Sequence, residues 1–303
     1  MKGIILAGGS GTRMRPMTKA TNKHFLPVYD KPMIYYPLAT LMLAHIRDIL
    51  IICNPCDLDD FKQMLGDGSQ WGIKISYTTQ QKANGIAEAF IIGEEFIGDD
   101  KVALILGDNI FFGHGFSESL KKAAQNDDAT VFGFYVRDPS AFGVAKLDKT
   151  NSYILDLVEK PTEYVSHYAI PGLYFYGPEV VEIAKSLKPS PRGELEITDL
   201  NKLYLKDRTL NFIELRRGFA WFDGGSPDAM LDASNYVSMV DKRQGLRIGC
   251  PEEIAFRYGW ISDEEFLKLA DELSTSGYGQ YLKEVAHIVQ TDKETSNTKA
   301  MPA

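Results

Sequence analysis

The sequence predicts an α/β fold: a mixed, mostly parallel sheet flanked by helices, with a helical extension at its C-terminal end. Three observations lead there. Apolar runs of strand length alternate with helical patterns through the first half of the 303 residues, the pattern of crossover units. The first run, Ile4 to Ala7, stops on Gly8-Gly9-Ser10-Gly11, a strand feeding a glycine loop. From Pro251 onward the pattern is helical alone. In such a Rossmann-like sheet ligands bind beyond the carboxyl ends of strands, where both Gly8 and Asp108 fall.

In order, residues 4–7, 49–52, 74–77, 102–106 and 129–136 read as strands. Helices are predicted between them over 32–44, 58–65, 85–96 and 116–125. Residues 143–188 change character, with short strands at 144–147, 154–158 and 169–176 that suggest an added layer. Helices return at 178–185 and 196–206, and 210–215 is a further strand. Ser226-Pro227 opens a helix to about 241, with serine at the N-cap and proline at N1. The C-terminal helices are expected at 252–258, 262–273 and 278–285, and Ser262 with Glu265 forms a capping box. The chain divides on this reading into a core over 1–241, a helical assembly or regulatory segment over 242–290, and a disordered polar tail over 291–303.

Composition excludes several classes. The hydrophobic share of 44% suffices for a sizeable core, and the net charge of −8 with no long basic run argues against nucleic acid and acidic membranes as partners. No apolar stretch reaches the ~18 residues of a membrane span. Met1-Lys2-Gly3-Ile4 leads straight into strand and glycine loop, unlike a cleavable signal peptide, so a cytoplasmic enzyme is expected. The three cysteines form no disulfide framework, and Cys53-Asn54-Pro55-Cys56 lacks the second pair a zinc site needs. Both thiols of that motif read as inert and structural.

The glycine loop carries the chemistry. Gly8 to Thr12 offers backbone N–H groups with little side chain in the way, an anion nest, and Arg13 and Arg15 follow with guanidinium forks suited to phosphate. Lys23 and Lys31 add cations. A dinucleotide fingerprint would need a third glycine where Met14 stands, and the P-loop pattern is absent. A plain strand-to-loop turn is the remaining alternative, which the neighbouring cations disfavour. The loop therefore reads as a nucleoside-triphosphate grip. Leu106-Gly107-Asp108-Asn109 puts a carboxylate at a strand end, where it can serve a metal or merely cap a turn. Asp99 and Asp100 read as a solvated turn. No Ser/His/Asp arrangement or histidine metal spacing occurs among the five histidines.

Taken together, G-G-x-G-T-R, the segment Lys23 to Pro32 and the stretches LGDNIF, VEKP, GLYFY and SPRGELEITD resemble the sugar-1-phosphate nucleotidylyltransferases over residues 1 to about 285. The resemblance is nearest to the branch that joins dTTP to glucose 1-phosphate. It implies Arg13, Lys23 and Asp108 as catalytic groups and Mg²⁺ held by Asp108 and Asp223. It implies nucleotide contacts from Leu6, Gly8, Gly9, Ser10, Gly11, Thr12, Arg13 and His24, with Gln80 and Gly85 near the base. The sugar phosphate would meet Gly143, Glu159, Lys160, Arg192 and Trp221. It also implies a homotetramer and a regulatory dTDP-sugar site near Gly113-His114-Gly115-Phe116 and Arg257.

Departures from the family pattern gather around the base and sugar. His24-Phe25 replaces a usual Gln-Leu, and Gln80-Gln-Lys-Ala-Asn-Gly-Ile-Ala-Glu-Ala89 replaces a proline-bearing Q-P-S-P-D-G-L-A-Q-A, which suggests a freer loop. Phe142-Gly-Val-Ala-Lys146, Ile170-Pro-Gly172 and Asp223-Gly-Gly-Ser226 also differ. A UTP-using or other sugar-phosphate enzyme, a non-catalytic nucleotide sensor and a Rossmann oxidoreductase are the rivals. Retention of the charged set disfavours the sensor, and Met14 disfavours the oxidoreductase.

Overall fold

The three strands expected at the heart of the sheet are there, and they are parallel. In the computed structural model, which describes residues 1–150 and 153–299 with side chains to 291, Lys2–Ala7 lies between Asp48–Cys53 and Val102–Leu106. Branched apolar residues fill these strands on both faces, as a sheet covered on two sides requires. Alternation sorts them. Ile5, Ile49, Ile51 and Ile105 face one core with Leu38, Leu41 and Phe61, while Ile4, Leu50, Ile52 and Leu104 face another with Phe90, Tyr176 and Leu200.

Across the main sheet the order is Ile154–Glu159, Gly143–Leu147, Tyr168–Ile170, Ala129–Tyr135, Leu173–Tyr176, Val102–Leu106, Lys2–Ala7, Asp48–Cys53 and Lys74–Thr79. Leu210–Leu215 pairs parallel to Ala129–Tyr135 outside this path. The half holding Lys2–Ala7 is parallel and the half beyond Val102–Leu106 is largely antiparallel. Helix Tyr35–Leu43 is apolar on all sides and buried from Tyr36 to Met42, as a central helix must be.

Several elements differ from the sequence reading. The helix expected over 85–96 is two, Glu88–Ile92 and Glu94–Ile97, parted at Gly93, whose backbone leaves helical geometry. The strand expected over 169–176 splits at Pro171-Gly172, because proline has no N–H for the ladder. The strands Asn109–Phe112 and Ala220–Asp223 were not expected at all; four residues each is too short for an alternation to register. Helix Pro227–Gln244 runs three residues past its expected end and stops at Gly245, which takes the left-handed conformation.

The C-terminal helices Pro251–Arg257, Asp263–Glu272 and Gly277–Lys299 join the main core. Phe256 stacks on Phe266 with centroids 4.1 Å apart, and Leu282 is fully buried beside them. The backbone from 291 to Lys299 continues the last helix, where a disordered tail was expected. A helix already formed extends at one hydrogen bond per residue without a new nucleus, so weak local periodicity did not signal it. Residues 300–303 lie outside the described residues. Among the described residues no helix is long and apolar enough to cross a membrane.

Candidate active site

Parallel register builds the site. Leu6 pairs with Leu106 and Ala7 with Cys53, so the turns after three neighbouring strands emerge together at one sheet edge. The first turn is the glycine loop. Asn54, from the second, accepts from the Gly9 N–H at 3.1 Å and donates to the Gly9 carbonyl at 3.1 Å. Asn22 donates to the Ala7 carbonyl at 3.2 Å. These clamps hold a loop whose Gly9 and Gly11 have positive φ. Among the described residues no acceptor meets the N–H of Ser10, Gly11 or Thr12, which is the condition for binding an anion from outside.

Asp108 follows the third strand and Asp223 comes from far along the chain. The short antiparallel pair Asn109–Phe112 with Ala220–Asp223 joins them, setting Asp223 opposite Asn109. The Gly224 N–H donates to the Asp108 carbonyl at 2.8 Å. A Cβ on Gly225 would stand 2.8 Å from Arg13 Nη2 and 3.0 Å from Asp223 Oδ1, so glycine alone lets the guanidinium approach the carboxylates. Asp108 is 7% exposed. Burial opposes its charge, yet its ion pair with Lys23, then His24 and Asn109, hold its carboxyl well below the usual range. Burial, and then the charge of Asp108, push Asp223 up to about 6, against the pull of Lys23 and Arg13.

A buried carboxylate that resists ionisation beside a second, ionised one marks a site short of positive charge. Among the described residues no cluster of three or more His, Cys, Asp or Glu could hold a metal alone. A pair of oxygen donors opening on a phosphate site instead fits Mg²⁺, which takes few protein carboxylates and completes its shell with water and substrate oxygens.

Arg13, Asp108 and Asp223 form one end of a cleft of about 240 Å³. Gly143, Glu159, Lys160 and Trp221 line the other end. Glu159 ends its strand and accepts from Thr198 Oγ1 at 2.5 Å, with Lys160 Nζ 3.7 Å and Arg192 Nη2 3.6 Å away. Lys160 leaves the strand with φ 41°, which bends it into the loop and lets both side chains serve the cleft. Trp221 is fixed by its indole N–H, which donates to Asn109 Oδ1 at 2.7 Å, and its ring lies 4.9 Å from Phe142.

Not every expected residue reaches this cleft. Arg192 is chelated by Glu196 through contacts of 2.7, 2.8 and 3.0 Å and braces Glu159 from behind. In this structure its guanidinium is engaged by the carboxylates of Glu159, Glu194 and Glu196. His24 is 1% exposed, bonded to Asn22 at 2.7 Å and packed on Gly107. Burial, then Lys23, lower its pKa to about 3, so it stays neutral under the acid pair. Lys23, Gly9, Ser10 and Gly11 face an adjoining hollow of about 410 Å³. Gly8 and Leu6 lie at and before the strand end, with Leu6 accepting from the Gly107 N–H at 2.9 Å. Gln80 follows strand Lys74–Thr79 directly and stands beside Gly8. Gly85 has φ 111° and backs onto Leu195, whose carbonyl a Cβ would meet at 2.3 Å. The loop without prolines is therefore tied down, by Leu195 N to Asn84 O at 2.6 Å and Ala87 N to Leu195 O at 3.2 Å.

The family model for nucleotidyl transferases matches residues 2–239. The chain belongs to the nucleotidyl transferase family. Within that family it is 55% identical over 283 residues to the glucose-1-phosphate thymidylyltransferase of Neisseria meningitidis serogroup A, covering 93% of this chain and 98% of that one. It is 51% identical over 282 residues to the enzyme of the same name from Mycolicibacterium smegmatis, covering 93% and 98%. Among solved structures it resembles a candidate glucose-1-phosphate thymidylyltransferase from Bacillus anthracis in complex with sucrose. That match has a TM-score of 0.72 and 43% identity, over 78% of this chain and 94% of that one. A UDP-glucose pyrophosphorylase bound to UDP-glucose matches with a TM-score of 0.67 and 27% identity, over 80% and 99%. The matched range includes both the glycine loop and the acid pair.

Sequence reasoning missed the supporting polar set. Asn54 lies inside the Cys53–Cys56 spacing, and Asn109, Thr198, Glu196 and Glu88 fall within motifs, with nothing in the sequence to signal their contacts. Their roles depend on contacts 20 or more residues away, apart from Glu196 and Glu88, whose partners Arg192 and Gln80 lie within one loop. Cys56 is exposed while Cys53 is buried, so only one of the two thiols is sheltered.

Proposed function

We propose that this protein transfers a thymidylyl group from dTTP to α-D-glucose 1-phosphate, yielding dTDP-glucose and pyrophosphate, with Mg²⁺ as cofactor. The observation that carries the reading is the acid pair Asp108–Asp223 facing Arg13 in a cleft whose far end offers Glu159 and Lys160. The names of the relatives supply the substrate class.

In the reaction an oxygen of the sugar phosphate attacks the α-phosphorus. The new P–O bond forms as the bond to the β-phosphate oxygen breaks, and pyrophosphate leaves with that electron pair. The nucleophile is already an anion, so no general base is needed. The free N–H groups from Ser10 to Thr12 and the Arg13 guanidinium hold the departing phosphates, where charge grows. Asp108 and Asp223 would hold Mg²⁺, which neutralises phosphate charge when bound. Lys23, paired with Asp108 in the protein alone, has phosphate oxygen to turn to once the triphosphate is bound. Glu159 accepts from sugar hydroxyls, Lys160 faces the sugar's phosphate, Trp221 walls the ring, and Arg192 keeps Glu159 aimed.

The resemblance supports a cytoplasmic homotetramer. It also supports feedback by a dTDP-sugar, for which a second hollow of about 290 Å³ between the Phe111 to Phe116 turn and helix Pro251–Arg257 offers Arg257 and Glu253. The UDP-glucose enzyme among the structural relatives keeps UTP as the second reading. The test uses dTTP labelled at the α-phosphate. Label should pass into dTDP-glucose only with glucose 1-phosphate and Mg²⁺ both present. Label released as dTMP, or no transfer, would contradict the proposal.

A further inference from the structure

We propose that Glu88 decides which edge of a nucleobase this protein accepts, by fixing the direction of the Gln80 carboxamide. The inference rests on the reading above that the base of the nucleotide lies against Gln80.

Gln80 is only 6% exposed, and its backbone N–H is tied to the Cys53 carbonyl at 2.9 Å. Its side-chain Nε2 donates to Glu88 Oε2 at 2.6 Å and reaches the Gly85 carbonyl at 3.5 Å. Glu88 is held in turn by Asn84, whose Nδ2 donates to Oε1 at 2.8 Å, and Asn84 is anchored through its carbonyl by the Leu195 N–H at 2.6 Å. A carboxylate can only accept. Turning the Gln80 amide over would set its oxygen against Glu88 Oε2 and leave two acceptors facing each other without a proton. The amide therefore has one allowed direction.

That direction points the oxygen at the glycine loop. Gln80 Oε1 stands 3.3 Å from where a Cβ on Gly8 would be, and Asn54 Oδ1 stands 3.6 Å from the same point. Gly8 leaves the space open, and this corner presents acceptors to it. A base entering there must bring an N–H. The imide N3–H of thymine or uracil does so, whereas the ring N3 of cytosine is an acceptor and would oppose Gln80 Oε1. A glutamine free to turn over could serve either base. Here Glu88 removes that freedom, so it is a positioning residue for base choice that never needs to touch the base.

The experiment compares kcat/KM for dTTP, UTP and dCTP in the wild type, Glu88→Leu, Glu88→Gln and Gln80→Ala, each checked by thermal melting. Glu88→Leu should shrink the dTTP-to-dCTP preference by roughly tenfold or more, the worth of one hydrogen bond between made and opposed. The dTTP-to-UTP ratio should stay unchanged, since both bases carry the same imide. Glu88→Gln, whose carboxamide can donate as well as accept, no longer fixes the direction of Gln80 and should lose part of the preference, falling between the wild type and Glu88→Leu. Should Glu88→Leu fail to fold, Glu88→Met serves the same purpose. A role in stability alone would lower all three nucleotides together and leave the ratios fixed, and that result overturns the proposal. If Gln80→Ala also leaves every ratio fixed, the placement of the base itself is wrong. If Gln80→Ala changes the dTTP-to-dCTP ratio and Glu88→Leu does not, only the role of Glu88 falls.

Discussion

Arg13 lines the cleft with no ion pair or side-chain hydrogen bond among the described residues. A guanidinium kept free beside two carboxylates, with glycine at 225 to admit it, is available to charge that appears during reaction. Arg13→Ala should lower kcat by roughly a hundredfold or more, the scale for one preorganised electrostatic group, and Arg13→Lys should recover only part because it lacks the fork. Steady-state rates with melting curves unchanged are the check. His24 makes a second prediction, on stability. Its folded pKa of about 3 lies below the ordinary histidine value of 6.5, so the unfolded chain binds a proton that the folded one refuses. The contribution is complete above pH 6.5 and shrinks as pH falls toward about 3, by about 1.4 kcal/mol per pH unit at most. Urea unfolding across that range should show the slope, and His24→Gln should flatten it. At this scale the charged residues were legible because charge types cannot be hidden in a pattern. Arg192 was not, because its own loop supplies Glu196 to hold it and sequence spacing does not say which of several carboxylates a guanidinium will choose.

At the scale of elements, the site depends on the pairing of Asn109–Phe112 with Ala220–Asp223. Asn109 locks that pair to the sheet: its Oδ1 accepts from Trp221 Nε1 at 2.7 Å and from the Gly172 N–H at 3.0 Å, and its Nδ2 donates to Asp108 at 3.0 Å. Asn109→Ala leaves two buried donors unmet and should cost about 1–3 kcal/mol for each one that water cannot reach. It should also cut activity by letting Asp108 and Trp221 drift, and Asn109→Asp, which keeps an acceptor, should keep more stability than activity. Denaturant midpoints and rates on the same samples separate the two. The long parallel strands were legible since buried strands are near-continuous apolar runs. These two short ones were not, for their stability comes from each other across more than a hundred residues. The C-terminal helices were legible through capping, as Ser262 and Glu265 show, but their burial in the main core was not.

At the scale of the whole molecule, that burial changes how regulation can be tested. Phe256, Phe266 and Leu282 belong to the core under the catalytic sheet, so cutting the chain before them would unfold it and report nothing about feedback. The point substitution Arg257→Ala in the second hollow is the informative change. It should remove inhibition by a dTDP-sugar, and calorimetry should then count one bound nucleotide per chain in place of two, with KM for dTTP unaltered. Inhibition that persists as purely competitive would remove the second site from the account. The larger claim is that the glycine loop, the acid pair and the Glu159–Lys160 end together make one nucleotidyl-transfer site. Pyrophosphate release, measured over dTTP, UTP, ATP and GTP against several sugar 1-phosphates, tests it most directly. Release should need Mg²⁺, be fastest with dTTP and glucose 1-phosphate, be measurable with UTP and be very poor with purines. No pyrophosphate from any pair would contradict nucleotidyl transfer, and faster release with a purine nucleotide would contradict the placement of the base at Gln80.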